Sequence, residues 1–269
     1  MKSQHSAPHH PLLAAATHDA HAPTDALLHA REFAKPLLEH ERTEFGENAL
    51  AHADAVAQIL QSLGGAESLQ AAAYLVFACE QLAKPFEALG KAFDENYARL
   101  AVDATQMMQA QRLAAQAGKQ SPSSPGAPSQ TESVRKMLLA FSRDLRVVLL
   151  CLASCLQNLR WAAEQKITVN QDFAHQALHI FAPLANRLGI WQIKWEIEDL
   201  AFRFLEPEVY RSIAKKLNLT RIQREANMAA LRAQLQTQLQ TAGIQADVSG
   251  RPKHIYSIAK KMRGKNLQF

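Results

Sequence analysis

The stretch that most constrains this chain runs from Glu132 to Ala163. Val134, Met137, Leu138, Phe141, Leu145, Val148, Leu149, Leu152, Leu156 and Leu159 recur there at steps of three and four. That spacing is the period of a helix, and a stripe this wide is stable in water only when other elements cover it. A second segment, Ala71 to Cys79 inside a helix expected over Glu67–Leu82, is almost continuously apolar and should be central. Two such helices in 269 residues require a buried helical core. Aromatics are only 7% of the chain, while alanine and leucine fill much of the apolar fraction, which favours helix over sheet.

The remaining pattern supplies partners for those two helices. Further helices are expected from Asp25 (with Leu27, Ala30, Ala34 and Leu38 as the inward face), over Asn48–Leu63 ending at Gly64-Gly65, from Pro85, and over Asp94–Ala115. Beyond Ala163 they are expected over Asp172–Arg187 with a disturbance at Pro183, over Trp191–Leu205, Val209–Leu217 and Arg221–Ala242. Residues 1–24 lack helical periodicity and read as a disordered tail; His5, His9, His10, His18 and His21 lie in it without a scaffold to make them a metal site. Residues 118–131 (GKQSPSSPGAPSQT) read as a flexible loop. After Gly243 the pattern changes: Ile244–Ser249 alternates apolar and polar as a strand does, Gly250-Arg251-Pro252 reads as a turn, and Lys253–Met262 as a helix. A lone strand needs neighbours, so the chain is expected to reach just into an α/β domain.

Composition excludes several classes. Gly 10 and Pro 11 rule out collagen-like and low-complexity chains. No run approaches 18 apolar residues free of charges or amides, so no membrane span is expected, and Met1–Pro11 holds no apolar signal core. Three cysteines suggest a reduced, cytoplasmic protein. Cys151 and Cys155 lie four apart on one helix, which suits core packing rather than a disulfide or a zinc site. The net charge is +5, and the basic residues gather at the end: Arg251, Lys253, Lys260, Lys261, Arg263 and Lys265 follow Gly250 with no acidic residue among them. Such a cluster suits phosphate, although a solvated basic helix has the same composition. An RNA-binding role is weakened by the lack of interleaved aromatics.

The segment Phe181–Pro207 (FAPLANRLGIWQIKWEIEDLAFRFLEP) resembles the RelA/SpoT family of (p)ppGpp synthetases and hydrolases. Gly250–Met262 (GRPKHIYSIAKKM) is similar to the first active-site motif of that family's synthetase domain, and the likeness runs more weakly through Glu132–Trp161 and Asn48–Gln81. The pattern is nearest to the RelA branch. The resemblance implies a mainly α architecture: an HD-type helical domain over 25–195, then linking helices and the beginning of an α/β nucleotidyltransferase-like synthetase domain over 196–269.

In the family, the HD-type domain binds Mn²⁺ and removes the 3′-pyrophosphate. The following domain moves pyrophosphate from ATP to the 3′-OH of GTP or GDP. The family's metal set is a histidine, a His-Asp pair and a later aspartate. Carried over, the first falls on His52, the pair on Val76 and Phe77, and the last on Ser154; of the neighbouring acidic pair Glu80 stands and its partner is Gln81. Hydrocarbon side chains offer a hard cation no lone pair, so the resemblance implies a hydrolase site that has been lost. Val76 and Phe77 are expected to fill the former metal cavity, each worth about 1.5–3 kcal/mol of burial.

On the synthetase side the resemblance assigns Arg251, Lys253, Ser257 and Lys261 to the ATP pocket, with His254 and Tyr256 as weaker candidates. Arg251 offers a planar fork to phosphate and Lys253 a point charge. The spacing of Lys253, Ser257 and Lys261 puts them on one helical face if the helix starts near Pro252. The family's Mg²⁺-binding aspartate, its base and its stacking aromatic correspond to positions beyond Phe269. This chain is therefore expected to be inactive alone and to hold no cofactor. Mg²⁺, ATP, GTP or GDP, and the ribosome are implied for a full-length relative. The alternative is a non-catalytic regulatory module that binds a partner.

Overall fold

A computed structural model describes residues 26–117, 144–217 and 220–267. The expected tail 1–24, the loop 118–131 and the first part of the helix expected from Glu132 lie outside the described residues. The chain divides into two compact units, one ending at Leu200 and the other beginning at Ala201.

The first unit is built from α1 (Ala26–Leu38), α2 (Ala49–Ser62), α3 (Glu67–Ala78), α4 (Pro85–Ala92), α5 (Glu95–Ala117), α6 (Leu145–Glu164), α7 (Gln171–Gln176), α8 (Ala182–Arg187) and the start of α9 (Trp191–Leu205). Helix α3 lies between α1 and α2 on one side and α5 on the other, while α6 packs on both α2 and α5. The reason is apolarity on every side. Each residue from Ser68 to Val76 is buried in α3, and each from Val147 to Gln157 in α6. Within these residues α6 is therefore not a striped surface helix, as its periodicity suggested, but a fully enclosed one. By length and composition alone Leu145–Glu164 is apolar enough to cross a membrane, but most of its surface is buried within the protein, as in a core helix. One partly buried polar knot ties three helices together. The Arg31 guanidinium forks onto Asp54 at 2.8 and 3.1 Å, and the Tyr74 hydroxyl donates to Asp54 at 2.8 Å. Burial, reinforced by that carboxylate, pushes the Tyr74 phenol up to about 12.

Helix boundaries follow local chemistry. Asn48 caps α2 by accepting from the Ala51 amide at 3.0 Å, and Asp94 accepts from Tyr97 N–H at 2.9 Å ahead of α5. At the other end of α2, Gly64 has φ +81°, its amide donates to Gln61 O, and Gly65 N–H donates to Leu60 O at 2.9 Å. This closure satisfies the last carbonyls of the helix, and it recurs with positive φ at Gly189 and Gly243. Helix α7 widens into a π-helical turn over Ala177–Phe181 before α8 resumes at Ala182. Pro183 cannot donate a backbone hydrogen bond, so the disturbance anticipated there is resolved by one wide turn rather than a break.

In the second unit, Phe202 and Ile213 of α9 and α10 (Pro207–Leu217) form a core with Ile255 and Ala259 of α12 (Ile255–Lys265). Between them runs α11 (Arg221–Thr241), started by a reciprocal Thr220–Gln223 capping box. The expected strand at Ile244–Ser249 is not formed: these residues have no regular secondary structure, and no strand pairs with them among the described residues. Side chains of the glutamine-rich α11 meet its backbone instead. Gln236 Nε2 donates to Ala246 O at 2.8 Å, Val248 N–H donates to Gln236 Oε1 at 3.2 Å, and Arg232 Nε donates to Val248 O at 3.2 Å. The alternating pattern is thus not realised as a strand, which needs a ladder.

A Cβ at Gly65 would stand 2.9 Å from Leu60 O and 3.3 Å from Leu69 Cδ2. Gly65→Ala is expected to destabilise the first unit by about 1–3 kcal/mol, read as a lower urea midpoint with an unchanged slope.

Candidate functional site

The connection between α1 and α2 is short and tightly bonded. Thr43 N–H donates to Glu47 O at 2.8 Å, Ala49 N–H to Glu41 O at 2.9 Å, and Gly46 N–H to Thr43 O at 2.9 Å with Gly46 at φ +79°. Asn48 Nδ2 donates to Glu39 O at 2.7 Å, and Trp161 Nε1 of α6 donates to Phe45 O at 3.1 Å. The result is to turn Glu47 inward, where it is only 3% exposed.

Glu47 meets His52, one turn into α2, with Oε2 at 2.6 Å from Nδ1. The other face of the imidazole points to α6: His52 Nε2 is 3.2 Å from Ser154 Oγ. The second oxygen of Glu47 accepts from Gln157 Nε2 at 2.6 Å. His52, Ser154 and Gln157 are buried as well. The ring of Phe77 stands edge-on to His52 with centroids 4.8 Å apart. A carboxylate on Nδ1 places a proton on that nitrogen, and in the neutral ring Nε2 is then left to accept from the serine hydroxyl. The chain Ser154–His52–Glu47–Gln157 thus satisfies each member.

The group lies against a cavity of about 380 Å³, whose wall includes His52, Phe77, Glu80, Gln81, Ser154 and Asn158. Five of the six positions named from the hydrolase resemblance thus share this wall. Val76 does not: it is buried at 2%, and its carbonyl accepts from Thr105 Oγ1 of α5 at 2.9 Å. The expectation that Val76 and Phe77 together fill the site is therefore corrected. Adjacent helix positions point about 100° apart, so only Phe77 reaches the site, and the cavity remains open. Glu80 is paired with Arg112 of α5. The Glu44 carboxyl is raised above its ordinary range, first by desolvation and then by Glu80, against the opposing pull of Arg112. Among the described residues no three His, Cys, Asp or Glu side chains converge in a way that would hold a metal.

Glu47 and Gln157 were not singled out from the sequence. A carboxylate directly before a helix cap, five residues ahead of His52, and an amide three residues beyond Ser154 were the available signals. Neither spacing shows that residues 110 positions apart will meet.

In the second unit, Ser257 and Lys261 lie one turn apart on α12, but Arg251 and Lys253 precede that helix, which begins at Ile255 with His254 as its cap. The single helical face expected for Lys253, Ser257 and Lys261 is therefore not formed. The carbonyl of Lys253 accepts from Arg224 Nη1 of α11 at 2.9 Å, which orients the segment before α12. Tyr256 packs against Phe202 with centroids 5.5 Å apart and so belongs to the core of this unit. Arg263 pairs with Glu206 and lies 5.8 Å from the centre of the Phe202 ring.

The helices around the His52 cavity fall within residues 30–191, which match the HD-domain family pattern. The chain is 35% identical over 249 residues to a probable guanosine-3′,5′-bis(diphosphate) 3′-pyrophosphohydrolase of Synechocystis, covering 92% of this chain and 31% of that protein. It is 45% identical over 141 residues to the GTP pyrophosphokinase of Photobacterium angustum and 44% identical over 140 residues to that of Escherichia coli K12. Those two alignments each cover 52% of this chain and 19% of the relative. The chain belongs to the RelA/SpoT family and carries its HD domain. It spans less than a third of the length of these relatives.

Burial pushes the Cys79 thiol up to about 11 and the Cys151 thiol up to about 12, and Cys155 is raised further by the same cause. A thiol whose folded value is raised holds its proton longer than in the unfolded chain, so stability present below the ordinary value of 9.0 is lost as pH climbs above it. The expected outcome is a melting temperature that falls above about pH 9, with Ellman's reagent titrating the three thiols only on unfolding.

Proposed function

We propose that this chain serves (p)ppGpp metabolism in the stringent response as the N-terminal part of a cytoplasmic, RelA-like GTP pyrophosphokinase. In this reading its HD domain no longer hydrolyses (p)ppGpp. The observation that carries the loss of hydrolysis is the donor set around His52. Both ring nitrogens are engaged, by Glu47 and Ser154, and the two positions matched to the family's aspartates present the Phe77 ring and the Ser154 hydroxyl instead of carboxylates. That set does not fit Mn²⁺, which takes several hard oxygen or imidazole donors.

On the synthetase side, Arg251, Lys253, Ser257 and Lys261 are proposed to contact the phosphates of ATP. Support comes from the intact motif and from a stretch, Gly250–Lys265, with basic groups and no carboxylate. A guanidinium forks onto phosphate oxygens while an ammonium neutralises charge as it develops between the transferred diphosphate and the leaving AMP. The Mg²⁺ such a transfer uses finds no carboxylate in this motif, so its ligands are assigned elsewhere in the parent protein. GTP or GDP is the proposed acceptor, and ribosome contact is proposed for regions of the relatives that this chain does not align with. A second reading, a regulatory module that docks a partner, is favoured by the exposed apolar residues Ile222, Leu231 and Leu235 on α11.

Two measurements test the first reading. Added Mn²⁺ is expected to leave the melting temperature unchanged, whereas a site filled at one hundred times its dissociation constant would add about 2.7 kcal/mol. In the full-length protein, Arg251→Ala or Lys253→Ala is expected to lower kcat/KM for pyrophosphate transfer from ATP to GTP by about 100-fold. Manganese-dependent release of pyrophosphate from ppGpp by this chain, or transfer indifferent to both substitutions, would overturn it.

A further inference from the structure

The Ser154–His52–Glu47 chain is arranged as nucleophile, base and orienting carboxylate, and the reading above gives it no chemistry. The serine hydroxyl is 3.2 Å from His52 Nε2, and Nδ1 is 2.6 Å from Glu47. The imidazole is held on three sides: by Glu47, by the edge of Phe77, and by burial to 1% exposure. Glu47 cannot swing away, because Gln157 holds its other oxygen at 2.6 Å. A hydroxyl, a general base at hydrogen-bond distance and a third group that fixes the base are the elements of an activated nucleophile, whatever the fold that carries them. Ser154 also lies in the wall of a cavity of about 380 Å³, a volume of the order that small ligands occupy.

We propose that Ser154 is a nucleophilic serine, opening on this cavity, that takes small esters with an apolar acyl group. The apolar preference follows from Phe77, Phe45 and Phe173, which line the cavity and of which the last two pack together at 5.1 Å. In the reaction Ser154 Oγ bonds to the carbonyl carbon as its proton passes to His52 Nε2, and the carbonyl π electrons move onto oxygen. Asn158, one turn further along α6 and in the same wall, supplies an amide N–H toward that oxyanion. Collapse re-forms the carbonyl, breaks the bond to the alkoxide and returns the proton from His52 to it, releasing the alcohol. Water then repeats the sequence on the acyl-serine, releasing the acid and restoring the Ser154 hydroxyl. Glu47 is a positioning residue throughout: it keeps the Nδ1 proton in place and balances the imidazolium.

The experiment treats the chain with an alkyl fluorophosphonate and follows the adduct by intact mass and peptide mapping. Labelling forms the Oγ–P bond and breaks P–F, and the hydroxyl proton leaves through His52 with fluoride as HF. The expected result is one phosphonyl group on Ser154, none in Ser154→Ala, and a rate lowered at least about 100-fold in His52→Gln. Glu47→Gln is expected to lower the maximal inactivation rate while leaving the reagent concentration for half-saturation unchanged. Circular dichroism establishes that each variant is folded. An unlabelled Ser154 in the folded wild-type chain overturns the proposal without reference to any variant. So does a Ser154 adduct that forms as fast in a folded His52→Gln or Glu47→Gln protein.

Discussion

The carboxylate of Glu47 sits at 3% exposure, where an unpaired charge would cost on the order of several kcal/mol, and its surroundings are arranged to prevent that. One oxygen meets His52 of α2 and the other meets Gln157 of α6. Both helices must therefore lie at fixed depth and rotation beside the loop that delivers Glu47. That loop is held in turn by its own backbone bonds and by Trp161 reaching back to Phe45. Gln157 and Ser154 are polar residues on an otherwise enclosed apolar helix, so they share the need: each is tolerable in the interior because a partner from elsewhere in the chain reaches it.

The cavity lies beside this network, whose side-chain hydrogen bonds compensate the buried carboxylate and join α2 to α6. The Phe77 ring packs against His52 and lines the cavity, while Val76 is buried and its carbonyl accepts from Thr105 of α5.

The second unit shows a different economy. Its core is small, with Phe202, Ile213, Ile255 and Ala259 at the centre and aromatic or aliphatic neighbours around them. The segment 244–249 has its backbone satisfied by glutamine and arginine side chains of α11. The composition of α11, which looks merely polar, is thereby given a physical role. Among the basic residues around α12, Arg263 is exposed but paired with Glu206, which raises its pKa, while Lys253, Lys260 and Lys261 are also exposed.

What the sequence by itself determined is what depends on neighbours along the chain. Helix periods, the Asn48 and Thr220 caps, the glycine closures at Gly64, Gly189 and Gly243 and the disturbance at Pro183 are set by bonds spanning a few residues, and such bonds can be read in order. The family motifs were legible for the same reason, as contiguous strings. Tertiary structure alone decided the rest. The period of α6 showed an apolar face, but only its neighbours show that it is enclosed all round. Alternation at Ile244–Ser249 suggested a strand, but a ladder requires a second strand, and none pairs with it among the described residues. Adjacent letters Val76 and Phe77 carry no statement of which one reaches the cavity, since that depends on the rotation of α3. Above all, Glu47, His52, Ser154 and Gln157 come from a loop and two helices, and a hydrogen bond between residues 102 or 110 positions apart leaves no spacing to read. It exists because burial removes water as an alternative partner, and the fold must then supply one.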